Sequence, residues 1–203
     1  MLLFRAIVGC SSTQACAILL ARGLSTMKTI YKIFAYGSLI NQASLKKTVP
    51  EARNIIPAKT YGLHRVFNLA STYRFDAECN SPVCVLNIAE TDAASVLNGT
   101  CFEMDEVSLG NILQREQGYD FCKIKAHHYD DEKQIFDAYY FRAHQFTPYQ
   151  YLPKSSVQQH YLNLCLNGCK IYGDKFIEDF KNSTAFWGIE CKHKLAAIWS
   201  GGY

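Results

Sequence analysis

Two short stretches of this chain combine residue types that can do chemistry. The first, residues 33–39, reads I-F-A-Y-G-S-L. Its apolar opening stops abruptly at Gly37, the pattern of a buried strand running into a tight turn. Gly37 has no Cβ, so the backbone there can approach a ligand closely. Ser38 and Leu39 follow with consecutive backbone N–H groups, and clustered donors after a strand make an anion cradle. Tyr36, Gly37, Ser38 and Leu39 are therefore candidate binding residues, although the same four residues fit a plain turn equally well. The second stretch, residues 111–119, reads N-I-L-Q-R-E-Q-G-Y. Leu109, Ile112, Leu113 and Glu116 are spaced i, i+3, i+4, i+7 and share one helical face. A carboxylate on an apolar stripe is costly unless it is paired or neutral. Burial raises its pKa toward the range useful for proton transfer. Glu116 is thus the candidate general base and acid. The alternative is that it turns outward at the helix end and pairs with Arg115 or a lysine.

Composition narrows the function classes. The chain has 203 residues, of which 49% are hydrophobic and 19% charged, the balance of a folded globular protein. The net charge of +3 is spread thinly, with no Lys/Arg block of the kind that tracks nucleic acid. No apolar run reaches the length of a membrane span. The 9 cysteines stand singly, with no CxxC pair and no Cys/His set at zinc spacing. They read as reduced thiols in a cytosol-like compartment, several of them buried, with Cys165 and Cys169 one helical turn apart on one face.

The elements that must position these stretches follow from periodicity and punctuation. Residues 1–27 carry Arg5 and Arg22 and no acid, which reads as a targeting or non-structural segment of mitochondrial transit type. A start at Met27 is the other reading. Residues 28–203 read as a single domain. Strands are expected at 31–36, 55–70, 83–89 (apolar enough to be central) and 96–104. A short helix or turn is expected at 41–48, and a polar loop at 71–82. Asp105 is a good N-cap for a helix from Glu106 to Arg115 or Glu116, with Gly118 at its end. Residues 121–129 and 135–144 read as a hairpin. Two helices follow, the first stopping at Gly168 and the second around Phe176 and Phe180. The tail to Tyr203 is uninformative. His127 and His128 alternate across a strand and read as surface or core histidines. Asp130-Asp131-Glu132 reads as a solvated turn, and the sequons at Asn98 and Asn182 are discounted. Tyr36, Tyr119 and Tyr139 are possible pocket residues.

Taken in order, F-A-Y-G-S-L, Gly62-Leu63-His64-Arg65-Val66-Phe67, Asn98-Gly99-Thr100 and Arg115-Glu116-Gln117-Gly118-Tyr119 resemble the gamma-glutamylcyclotransferase-like superfamily, closest in style to its ChaC-type and related branches. The resemblance covers roughly residues 31–145, and four weak motifs in order make a stronger signal than any one of them. It implies an α+β fold, a mixed, barrel-like β-sheet with flanking helices. It also implies an intramolecular aminolysis in which a γ-glutamyl α-amine attacks its own γ-carbonyl, giving 5-oxoproline and a free amine or peptide. Glu116 would be the base and acid, and the backbone of Tyr36 to Leu39 would hold substrate. The implied partner is a small γ-glutamyl compound, glutathione among the candidates, in the cytoplasm, or in the mitochondrion if residues 1–26 are a transit peptide. No metal, organic cofactor, nucleic acid or membrane is implied, and the oligomeric state is open. In some relatives the catalytic Glu directly precedes the Gly, where this chain has Gln117; the R-E-x-G-Y register is favoured because Arg115 and Tyr119 also match. A non-catalytic module binding a small metabolite or peptide, and a variant acting on γ-glutamylamines, are the competing readings.

Overall fold

A computed structural model describes residues 29–115, 118–144 and 146–201. The expectation for residues 1–27, and Glu116 and Gln117, lie outside the described residues. The elements are β1 (Ile30–Ala35), a 3-10 turn (Ser38–Ile40), α1 (Gln42–Thr48), β2 (Arg53–Tyr61), β3 (Leu63–Asp76), β4 (Ser81–Glu90), β5 (Val96–Asp105), α2 (Glu106–Arg115), β6 (Tyr119–His128), β7 (Ile135–Ala143), α3 (Ser156–Lys170), α4 (Asp174–Asn182), β8 (Thr184–Phe186) and α5 (Lys192–Ser200).

The strands form two bodies rather than one sheet. A closed barrel runs β1-β5-β2-β6-β7, and a separate three-stranded sheet runs β4-β3-β8. The barrel closes through a parallel contact of β1 with β7 at Ile33 and Tyr139, all its other pairings being antiparallel. Strand side chains alternate, so the two faces of β1 feed different clusters. Ile33 and Ala35 pack with Phe102, Met104, Leu109 and Ile112, whereas Phe34 packs with Ala58, Cys101, Ala126, Ala138 and Tyr140. The helical stripe on α2 is buried as its spacing predicts at Leu109 and Ile112, with Leu113 partly covered. Asp105 caps that helix by accepting a 2.9 Å hydrogen bond from the Ser108 N–H.

Several expectations are corrected. The single strand at 55–70 is two strands, because the chain turns at Gly62, where Ser95 O and Thr91 N hold its backbone at 3.0 Å, and β3 leaves the barrel for the second sheet. The polar loop at 71–82 is the outer end of the β3–β4 hairpin, with Phe75 opposite Pro82 and Asp76 opposite Ser81. Its polarity reflects an exposed two-stranded arm, irregular between Ala70 and Phe75, not an absence of strand. The apolar strand at 83–89 is an edge and not a centre. Side-chain amides join it to its surroundings. The Gln158 amide takes a neighbouring strand's place, donating to Cys84 O and accepting from Cys84 N, both at 2.8 Å, and the Asn87 side chain of β4 itself makes a paired contact with the backbone of Ala143 on β7. The uninformative tail forms α5, and the short strand β8 precedes it.

Gly168 does not stop a helix. It lies inside α3, where an added Cβ would sit 2.5 Å from Asn41 N and 2.7 Å from Ile40 C. α3 therefore crosses the turn that follows β1 at backbone contact. Cys165 and Cys169 share the buried face of the same helix, and burial pushes both thiols up to about 12. The start of α3 is fixed to the hairpin arm. Ser155, its N-cap, accepts from Gln158 N at 3.0 Å and donates to the buried Asp76 carboxylate. Asp76 also accepts from the N–H groups of Glu78 (2.9 Å) and Cys79 (3.1 Å) in the hairpin turn. No helix among the described residues is long and apolar enough to cross a membrane.

Two predictions follow from this packing. Because the atoms facing Gly168 are backbone, Gly168→Ala should lower unfolding free energy by about 1–3 kcal/mol, the usual range for an overpacked core, measurable by urea denaturation. An unchanged midpoint would refute the close crossing. The hydrogen bond from Ser155, and then those from the turn amides, hold the Asp76 carboxyl below its ordinary value of 3.8. A depressed carboxyl pKa stabilises the fold fully above the ordinary value, and the effect is lost as pH falls through the folded value. The melting temperature of Asp76→Asn should therefore trail wild type at neutral pH and converge on it below pH 3.8. A gap that persists into strong acid would contradict this.

Candidate functional site

The turn after β1 forms one wall of a cavity of about 340 Å³. Ile40 N donates to Gly37 O at 3.0 Å and Asn41 N to Ser38 O at 3.2 Å. That i+3 pattern leaves the Ser38 and Leu39 N–H groups ahead of the first bonded amide of the turn. Asn41 ends the turn and caps α1 by accepting from Ser44 N at 3.0 Å. Tyr36, Gly37, Ser38 and Leu39 all line the cavity. The Tyr36 hydroxyl donates to Phe141 O at 2.7 Å, which ties the turn to β7. Other walls come from α1 (Ser44, Thr48), the arm of β3 (residues 71–74), α2 (Ile112), β6 (Tyr119) and α3 (Tyr161). Tyr161 is buried, accepts from Leu86 N at 3.4 Å, and its hydroxyl lies 3.4 Å from where a Cβ on Gly37 would stand. Gly37 thus fits against a protein hydroxyl as well as facing the cavity.

Behind the turn sits Arg65, with no solvent exposure. Its Nε donates to Tyr36 O at 2.6 Å, one terminal nitrogen donates to Ser183 Oγ at 2.5 Å, and the other donates to Asn98 O and, at 3.0 Å, to Asn98 Oδ1. The guanidinium carbon lies 4.2 Å from the ring centroid of Phe180. Burial draws the group down to about 10, which still leaves it charged at neutral pH. Its recorded acceptors are all neutral oxygens.

No family model matches this chain, and no curated protein matches it. Its likeness is to solved structures. A gamma-glutamyl cyclotransferase is 14% identical and superposes with a TM-score of 0.62 over 85% of this chain and 99% of its own. An uncharacterized protein from Homo sapiens gives 0.61 at 15% identity, over 84% of this chain and 98% of its own. A yeast gamma-glutamyl cyclotransferase specific to glutathione gives 0.53 at 16% identity, over 86% and 96%. This chain has the gamma-glutamylcyclotransferase-like fold.

In this gamma-glutamylcyclotransferase-like fold the four sequence motifs take different parts. The Y-G-S-L turn lines the cavity. The second motif supplies Arg65, which holds the turn from behind, and Phe67, fully buried and stacked on Phe186 at 4.9 Å. The third supplies Asn98, buried as an Arg65 acceptor and donor to Phe176 O, and therefore no glycosylation acceptor. Its Gly99 lies so close to β1 that a Cβ would meet Ala35 O at 2.4 Å. The fourth supplies Tyr119 to the cavity, whereas Glu116 lies outside the described residues. Tyr139 stacks on Phe121 at 4.6 Å and is not a lining residue. Arg74 and Tyr161 of the cavity were not singled out by the sequence. Arg74 fell in the stretch read as a loop, and Tyr161 lies in the first of the two helices expected after the hairpin.

A second, wider cleft of about 800 Å³ has charged walls that are already engaged. Lys59 pairs with Glu132 at 2.7 Å, Lys175 pairs with Asp179, and the Tyr129 hydroxyl donates to Asp179 at 2.6 Å. His127 stands outside both, its Nδ1 2.9 Å from Glu132 O. No group of His, Cys, Asp and Glu among the described residues is arranged to hold a metal. The smaller cavity, with the open end of the turn in its wall, is the candidate site.

Arg65 should be the most sensitive position behind it. Arg65→Ala leaves several buried acceptors unpaired, each costing about 1–3 kcal/mol, and should prevent folding or lower stability by about 3–5 kcal/mol. Arg65→Lys keeps the charge but loses the planar fork, and should fold with a loss of about 1–3 kcal/mol. Denaturant unfolding of the pair measures both, and a neutral Arg65→Ala would sink the anchoring role.

Proposed function

We propose that the protein is a gamma-glutamylcyclotransferase that converts a γ-glutamyl amine or peptide to 5-oxoproline. The observation that carries this reading is the cavity itself. The donor-bearing turn Tyr36–Leu39 lines it, and so do Ile112 and Tyr119, the two lining residues that flank Glu116 in sequence. The fold supports the reading through its likeness to cyclotransferases, one of them specific to glutathione.

The chemistry asks little covalent work of the protein. The substrate's α-ammonium loses a proton, and its nitrogen attacks the γ-carbonyl carbon. A five-membered lactam forms as the scissile C–N bond breaks. The attacking nitrogen sheds its second proton as the lactam forms, and the departing nitrogen gains two protons and leaves as an ammonium, so one carboxylate can serve as base and then as acid. We assign that role to Glu116. Ring closure is intramolecular, so the main contribution of the enzyme is to fold the substrate chain into attack geometry. We assign the Ser38 and Leu39 N–H groups to the substrate's α-carboxylate, with Gly37 keeping that approach open. The apolar and aromatic walls, among them Phe102, Ile112, Tyr119 and Phe141, exclude water and strengthen the interactions made inside.

The test is 5-oxoproline release from glutathione and a panel of γ-glutamyl dipeptides by the full chain and by Glu116→Gln. Loss of the base should lower kcat by about 10²–10⁴-fold, with the thermal unfolding midpoint unchanged. Turnover that survives would remove Glu116 from the role while keeping the reaction. A folded wild type that binds 5-oxoproline but turns over nothing would favour a non-catalytic binding module.

A further inference from the structure

The site's electrostatics point to the class of leaving group, an inference that rests on the cyclotransferase reading. Among the described residues lining the cavity, Arg74 alone carries a charge. Four arginines have described side chains, and three are engaged by oxygens. Arg53 pairs with Glu103, Arg142 pairs with Glu90, and Arg65 is wrapped by Tyr36, Asn98 and Ser183. Arg74 has no carboxylate within ion-pairing distance among the described residues. Its guanidinium lies 5.3 Å from the ring centroid of Tyr161. Stacking on an aromatic face compensates part of the cost of half-burying a cation. It leaves the fork of N–H donors available for a planar anion, the geometry in which Arg binds carboxylates best.

The position of Arg74 relative to the turn fixes which anion. Tyr161 places its hydroxyl against Gly37 and its ring against Arg74, so the arginine lies one aromatic side chain away from the donors of Ser38 and Leu39. Two anion-binding groups therefore stand in one cavity, separated along its wall. A γ-glutamyl peptide carries two carboxylates, one at the α-carbon of the glutamyl end and one on the departing residue. A γ-glutamyl amine carries only the first, and a cationic leaving side would face Arg74 with like charge. Arg74 also sits on the hairpin arm beside Tyr73, a lining residue that is 62% exposed at the rim. The arm thus offers an aromatic surface together with a cation.

We infer that Arg74 binds a carboxylate on the leaving group, which makes γ-glutamyl peptides with a free C-terminus the substrate class in preference to γ-glutamyl amines. The experiment compares γ-glutamyl-alanine with γ-glutamyl-alaninamide on the full chain, Arg74→Gln and Arg74→Lys. Wild type should favour the free acid, and Arg74→Gln should lose about 10- to 100-fold in kcat/KM on it, mainly through KM, with at most a few-fold loss on the amide. Arg74→Lys, which keeps the charge without the fork, should keep part of the preference and serves if Arg74→Gln does not fold. Equal losses on both substrates would overturn the inference, because Arg74 would then serve the glutamyl end they share. Equal turnover of acid and amide by wild type would overturn it too. Calorimetric binding of the same two compounds separates this inference from the reaction. A wild type that releases no 5-oxoproline yet binds the acid more tightly, with the difference lost in Arg74→Gln, would uphold carboxylate recognition and refute the cyclotransferase. No difference in binding would refute the recognition.

Discussion

A fully buried guanidinium whose recorded acceptors are all uncharged is the constraint around which this molecule is arranged. Moving Arg65 out of water is expensive. The cost is offset only if the chain brings enough oxygens to its donors, and it does so from three places. Tyr36 O comes from the end of β1, the Asn98 oxygens from β5, and Ser183 Oγ from the residue between α4 and β8, with the Phe180 ring below. Barrel, second sheet and C-terminal helices therefore meet at one side chain. Ser183 is recruited twice, since its carbonyl also accepts from Arg65 N at 2.8 Å. The turn that lines the cavity departs from the residue whose carbonyl Arg65 holds, so the site inherits its position from the core.

β3 joins this anchor to the cavity. Arg65 lies at its buried end and Arg74 near its exposed end, on one strand with different surroundings. Irregular pairing with β4 after Phe67 and after Ala70 separates the two segments. The inner part is paired with β8 along its edge, and the outer part is an arm fastened at its tip by the Asp76–Ser155 contact. Under the proposed cyclotransferase reading, the protein needs one rigid wall and one wall suited to what departs. The division of β3 supplies both: the turn is locked by Arg65 and crossed at backbone contact by α3, while the arm brings a cation and aromatic rings to the opening.

What the sequence made legible follows the range of the interactions involved. The β1 turn, the α2 stripe with its Asp105 cap, and the β6–β7 hairpin are decided by neighbours in the chain, and periodicity found them. The split at Gly62 is decided by a distant partner. Tyr61 pairs into the barrel with Val96, whereas Leu63 pairs with Glu90 in the other sheet, and both lie in one unbroken β-rich run. The edge position of β4 was hidden because the Gln158 side-chain amide takes the place of a neighbouring strand at Cys84, while Asn87 of β4 itself reaches the Ala143 backbone of β7. Gly168 read as a stop because only the approach of Asn41, remote in sequence, shows why that helix needs a residue without a Cβ. In the site, the turn residues were visible as a strand ended by glycine. Arg74 was not, because a polar two-stranded arm and a polar loop have the same composition.

The larger cleft shows why size does not identify the site. Its wall charges cancel within the protein, since Lys59, Lys175, Asp179 and Glu132 satisfy one another, so an entering ion would have to break an existing pair. Among the described residues, the smaller cavity offers donors that are not held in ion pairs. Ser38 and Leu39 precede the first bonded amide of their turn, and among the described residues Arg74 faces a ring and no carboxylate. Binding energy comes from groups whose partners in the free protein are water or weak contacts, because little must be broken before the ligand is gained. By that criterion the barrel end near β1 is the better candidate for holding an anionic ligand. The same Arg65 that orders the core holds Tyr36 O at the start of the turn that carries the backbone donors.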